Sequence, residues 1–205
     1  MNHLAHGDLD GALVEFLAVW RPRLRGPRWV PDVVPRPLRR VYELTDAARL
    51  ATQNRLVAAD ALVVGAHGKL MFYVENQGVC RWATEEGDDP PVWIAWDWSD
   101  AVASWQPEAA RLSEFVLQLA ILEAAFSSDH CRIEMLDRDD GIELERSLIE
   151  LPLPPWSWPV TPSRFFANER VIAFSSQADP TSLLVAARDQ GALDAFLAPW
   201  ADRFL

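Results

Sequence analysis

Cysteine is scarce in this 205-residue chain: Cys80 and Cys131 stand far apart, outside any C-x-x-C or Cys/His cluster. That pattern argues against a disulfide framework and against a zinc site, and it fits a reducing cytosol. Histidine is nearly as sparse. His3 and His6 lie near the start, His67 in an Ala-His-Gly turn and His130 beyond a long apolar stretch, with no H-x-x-x-H pair among them. Long hydrophobic runs are missing too, so no membrane span is expected, and no basic segment followed by an apolar run marks the chain for export. Neither G-x-x-x-x-G-K-[ST] nor G-x-G-x-x-G occurs, which removes the backbone scaffold for cradling phosphate. A Gly-x-Ser-x-Gly elbow is likewise absent, and the serines fall in caps, loops and strand ends. Lysine is reduced to one residue, Lys69, beside eighteen arginines. We read that bias as a trace of GC-rich coding. On these grounds the chain is expected to be non-catalytic and to carry no cofactor or metal.

What is present is acidity, apolar bulk and tryptophan. Half of the residues are hydrophobic, and 19 Lys+Arg against 30 Asp+Glu give a formal charge of −11. Such a surface repels phosphate backbones and anionic headgroups, so neither nucleic acid nor membrane is an expected direct partner, while a basic protein would be attracted. The charge is segregated. Between Arg21 and Arg49 eight arginines face only Asp32, Glu43 and Asp46. Length and composition suit a single α+β domain over residues 1–205, with an antiparallel or mixed sheet flanked by three to four helices.

Periodicity places the elements. Leu13, Phe16, Leu17 and Trp20 recur at helical spacing after Asp10, and Pro35 and Pro37 open a helix carrying Leu38, Val41 and Tyr42. A meander follows: Leu70–Glu75, Val79–Ala83 and Val92–Trp98. Asn76-Gln77-Gly78 forms the first turn and Gly87 to Pro91 the second connection. On the third strand Trp96 and Trp98 share a face with Val92 and Ile94, and Trp93 points the other way. Trp93 is therefore either a partner anchor or part of ordinary packing. Ser113 is expected to cap the longest helix, which reaches about Phe126. Glu123 then lies on its apolar face, where it is a general acid or, more economically, a buried structural carboxylate bonded to an Arg, Trp or backbone donor. Asp129 to Glu145 reads as an acidic, polar stretch. The Pro/Trp-rich loop 151–162 links two halves of the chain; its Leu153-Pro154-Pro155-Trp156 either packs or is offered to a polyproline-reading domain. Strands Arg164–Ala167, Arg170–Ser175 and Ser182–Ala187 and a helix Gly191–Trp200 close the chain. Glu85, Glu86, Asp88 and Asp89 crowd one loop, without EF-hand spacing. They form a solvated turn, a calcium site or a contact for a basic partner.

One constellation is more specific. Val74-Glu75-Asn76-Gln77-Gly78-Val79, then Trp82, then Asp88-Asp89-Pro90-Pro91-Val92-Trp93 resembles the SUKH superfamily, named partly for the yeast Smi/Knr cell-wall regulators. Pro35-Arg36-Pro37-Leu38-Arg39 leading to Tyr42, and Leu112-Ser113-Glu114-Phe115 opening the helix with Leu122-Glu123-Ala124, agree in order. The resemblance covers roughly residues 30 to 130. It implies an α+β sheet with flanking helices and, for bacterial members, an immunity protein that binds and neutralises a partner toxin, often a nuclease. The candidate motif and interface residues are then Glu75, Asn76, Gln77, Gly78, Trp82, Glu85, Glu86, Asp88, Asp89, Pro90, Pro91 and Trp93, and the partner is a cognate toxin domain, expected to be basic. An intracellular scaffold of the same fold, and an unrecognised hydrolase using Glu123 or the acidic loop, are the competing readings.

Overall fold

The computed structural model describes residues 2–21, 29–96 and 104–204, apart from the side chains of Asn2, Ala48 and Ala66. The architecture is α+β, as expected, but with two antiparallel sheets where the sequence suggests one. The chain gathers into two compact units, Met1–Glu123 and Ala124–Leu205.

In the first unit, α1 (Asn2–Ala5), α2 (Leu9–Trp20), α3 (Arg36–Leu44) and α4 (Ala47–Leu50) precede β1 (Arg55–Leu56), β2 (Leu70–Val74), β3 (Arg81–Thr84), β4 (Val92–Ala95) and β5 (Gln106–Ala109), after which α5 (Leu112–Phe126) begins. The sheet is a meander in the order β1-β2-β3-β4-β5. Helix α2 starts one residue before Asp10: Asp8 caps it, its carboxylate accepting from the Gly11 N–H at 2.9 Å, which satisfies one of the orphan donors of the first turn. Leu13, Phe16 and Leu17 are buried as their spacing predicts, and so are Leu38, Val41 and Tyr42 of α3.

A β-bulge between Met71 and Tyr73 shifts the β2–β3 register. A bulge re-aims side chains, and here Phe72 and Tyr73 both reach the helix α5 side of the sheet. Phe72 meets Phe115 edge-on at 5.7 Å between ring centroids, and Tyr73, Trp82 and Phe115 close around each other at 5.0 to 6.4 Å. Strand β4 ends at Ala95. Val92 and Ile94 are core, but Trp96 lies beyond the strand and is 40% exposed, so it does not share their face. Asp97 and Trp98 lie outside the described residues, as do Arg23, Arg25 and Arg28 of the basic stretch.

The division between units falls inside α5, so the Pro/Trp-rich loop does not link two halves. The second unit holds β6 (Cys131–Leu136), α6 (Arg138–Arg146), β7 (Ser163–Ala167), β8 (Val171–Ser176), β9 (Thr181–Ala187) and α7 (Gln190–Leu197), with sheet order β6-β9-β8-β7. Both β6 and α6 fall in the stretch that the sequence presents as merely acidic and polar. Leu136, Leu144, Ala173, Leu183, Val185 and Leu193 form the core between the sheet and its helices. Gly141 lets α6 approach β9 closely, because a Cβ there would sit 2.5 Å from Thr181 Oγ1. The Pro/Trp loop runs along the outer edge of β7: Leu151 N–H donates to Phe165 O, and Trp156 and Ser163 exchange backbone bonds at 2.9 and 3.0 Å. Trp156 is 1% exposed, packed edge-on against Phe165 and Phe174. That segment packs; it is not presented as a polyproline ligand.

Candidate functional site

The β2–β3 hairpin turn is built by Glu75 and Gly78. The Glu75 carboxylate, buried, accepts from the Gln77 N–H at 2.8 Å and the Val79 N–H at 3.2 Å, while Gly78 takes φ +76°, a conformation that costs glycine little. Both residues are thereby committed to the turn. Asn76 and Gln77 are exposed at its tip, beside a groove of about 420 Å³ that also includes Gln53, Asn54 and Arg55. Trp82 is fully buried and belongs to the core.

Directly behind this hairpin lies Glu123, with no exposed surface. One carboxylate oxygen accepts from the N–H groups of Thr52 and Gln53 at 2.6 and 2.8 Å; the other accepts from the Asn54 N–H at 3.0 Å and the Tyr73 hydroxyl at 2.5 Å. Asn54 Nδ2 donates to the same hydroxyl at 2.7 Å, and Asn54 Oδ1 accepts from the Asn76 N–H at 3.2 Å. A continuous chain of hydrogen bonds thus runs from α5 to the hairpin tip. Burial pushes the Glu123 carboxyl above its ordinary range, against the pull of four donors that favour the ionised form, and burial together with Glu123 pushes the Tyr73 hydroxyl well up. Burial draws the Arg21 guanidinium down, and the Glu123 charge offsets part of that. The Glu123 carboxylate is buried and bonded to backbone donors. Sequence reading misses its partners Asn54 and Tyr73, which come from other elements.

The connection from β3 to β4 is fixed at its base and open at its tip. Asp89 supplies the cap of α5: its carboxylate accepts from the Ser113 N–H at 2.8 Å, the Ser113 hydroxyl at 2.7 Å and the Arg111 Nε–H at 3.2 Å. Pro90 O accepts from the Leu112 N–H at 2.8 Å. Ser113 is therefore capped by the loop rather than being the cap itself. Pro90 is buried and Pro91 half-buried, whereas Glu86, Gly87 and Asp88 are exposed. Glu86 and Asp88 border a cleft of about 630 Å³ whose opposite wall carries Asp32, Arg36 and Arg39. Arg39 is engaged with the Asp32 carboxylate at 3.3 Å and with Asp32 O at 2.8 Å.

On the face of the sheet away from α5, Trp93 is half-buried, and Lys69 Nζ sits 3.8 Å from its ring centroid while also pairing with Glu85. Its neighbours in register are Ala83 and Pro107. No protein-family model matches the chain, and neither does any curated protein or solved structure. The site therefore has to be read from its own geometry.

That geometry separates the motif into two ends. The hairpin closes one end of β3 and the Glu85–Pro91 loop the other, the four residues of the strand spanning roughly 13 Å at about 3.3 Å each. Glu75, Gly78, Trp82, Asp89 and Pro90 serve the fold. Asn76 and Gln77 at one end, Glu86 and Asp88 at the other, and Trp93 between them remain as contact candidates. Among the described residues no group of three His, Cys, Asp or Glu side chains is placed to hold a metal ion, and no helix is long and apolar enough to cross a membrane.

Proposed function

We propose that this chain is a non-catalytic protein-binding module of the immunity type, which docks on a basic toxin domain and neutralises it. The carrying observation is the acidic loop: Glu86 and Asp88 project from an exposed tip whose base is pinned to α5 through Asp89 and Pro90. A pinned base limits how far these charges can move, so less ordering entropy opposes the complex than for an untethered loop. With a net charge of −11 the chain also steers a cationic partner from a distance. The engagement of Glu123 with four donors supports a structural role for it and weakens the hydrolase reading. The resemblance of the Glu75–Val79 and Asp88–Trp93 segments to the SUKH superfamily points the same way.

The test is co-expression with the C-terminal domain of any toxin encoded beside this gene. Survival of the cells and a complex that co-elutes are expected. Replacing Asp88 with Arg should weaken that complex about tenfold or more, because like charges would then face each other. Absence of both rescue and complex formation overturns the proposal.

A further inference from the structure

The tip of the acidic loop is free, but its two stems meet at one cation. Glu85 opens the loop directly after β3, and Trp93 lies in β4 just beyond its end. Lys69, the residue before β2, reaches both: its ammonium pairs with the Glu85 carboxylate and lies 3.8 Å from the centroid of the Trp93 ring. The lysine side chain keeps only 11% of its exposure, against 40% for Glu85. An ammonium shielded from water on one side by an indole and neutralised on the other by a carboxylate interacts more strongly with each than a solvated one does. No second lysine exists to take its place.

We propose that Lys69 is the positioning residue of the acidic loop, clamping both stems, and that neutralising this one ε-amino group loosens the loop at its Glu85 end, while Asp89 and Pro90 stay held by α5. The inference rests on the binding reading only for its biological consequence; the clamp itself is a property of the isolated chain. Acylation of Lys69 removes the charge and with it both contacts, since a neutral amide has neither an ion pair with Glu85 nor a cation to offer the indole. Because the chain holds a single lysine, an amine-directed reagent or enzyme has one side-chain target, and that target controls the segment carrying Glu86 and Asp88. Arginine retains charge and ring stacking, so Lys69→Arg should preserve the clamp, whereas Lys69→Met keeps the stem and loses the charge.

Hydrogen exchange of the 84–92 segment tests this without any partner. Lys69→Met should exchange about tenfold faster than wild type there, the ion pair and the cation–π contact together being worth roughly one power of ten. Lys69→Arg should match wild type, and exchange in β8 and β9 should not move in either variant. A second measurement needs no variant: acetic anhydride should acylate Lys69 of the native chain about tenfold more slowly than N-acetyl-lysine amide, with the difference abolished in urea. Unchanged loop exchange in Lys69→Met, or native labelling at the rate of the free amide, overturns the clamp. A clamp that survives these tests beside a chain that binds no toxin would overturn the proposed function alone.

Discussion

Replacing Glu123 with Gln tests whether the buried carboxylate holds the 52–54 segment to α5. Among the described residues the wild-type group accepts at least four hydrogen bonds through two oxygens. Glutamine has one oxygen and a donor, and its least costly placement leaves the oxygen with Thr52 and Gln53 and turns the NH₂ toward Tyr73, whose hydroxyl can rotate to accept. The Asn54 N–H then faces a donor and has no acceptor. The orphaned Asn54 N–H and the displaced Tyr73 O–H each cost about 1–3 kcal/mol, and removing a buried charge returns part of that, so a net loss of about 2–4 kcal/mol is expected. Urea unfolding followed by far-UV circular dichroism measures the loss, and amide exchange at Thr52, Gln53 and Asn54 should accelerate with it. The pH dependence carries a sign. Burial raises the folded-state pKa above the ordinary value of 4.5, so the folded chain binds this proton more tightly. The associated stability is fully present below about 4.5 and is lost as pH rises through the folded value. The margin of wild type over the non-titrating glutamine variant should therefore narrow from pH 4 toward neutrality. A glutamine variant as stable as wild type would refute the anchoring role, and a margin that widens with pH would show that the four donors outweigh burial.

Three other outcomes follow from the geometry. Gly78→Ala places a Cβ at φ +76° and should cost about 1 kcal/mol in urea unfolding without weakening the Glu75 bonds to the turn. Asp89→Ala removes the cap of α5 and should lower stability by about 1–2 kcal/mol, with faster exchange at Ser113 as the local sign. Gly141→Ala drives a methyl group onto Thr181 and should cost about 1–3 kcal/mol; adding Thr181→Ala should recover most of that, so additive losses in the double variant would refute the close approach of α6 to β9.

Local signals were legible where the interaction that decides them is itself local. Leu13, Phe16, Leu17 and Trp20 announce α2, and Gly78 announces the hairpin, because side-chain periodicity and a positive φ are properties of a few adjacent residues. Glu123 was legible in kind, since a carboxylate on an apolar helix face must find donors, but its partners Thr52 to Asn54 and Tyr73 are 50 or more residues away. The cap of α5 went to Asp89 for the same reason: the obvious Ser113 was adjacent, and the better acceptor arrived from a loop 24 residues earlier. Strand β6 was hidden by its place at the sheet margin, where Arg132 and Ile133 are exposed and the alternation that marks a half-buried strand is blurred. Strands β1, of two residues, and β5, which contains Pro107, are too short or too unlike a strand in composition to stand out. Lys69 was visible as the sole lysine, but only its position between Glu85 and Trp93 gives it a role.

The loop that borders β7 also bears on how the chain behaves at high concentration. A bare strand margin is a template for another molecule's backbone, and β7, with Phe165 and Phe166 among its residues, has the composition that such pairing favours. Leu151 and Trp156 occupy the carbonyl and amide groups through which a second copy would attach. Proteolytic nicking between 151 and 162 would free those groups while leaving the sheet intact, turning a guarded margin into a seed for self-association.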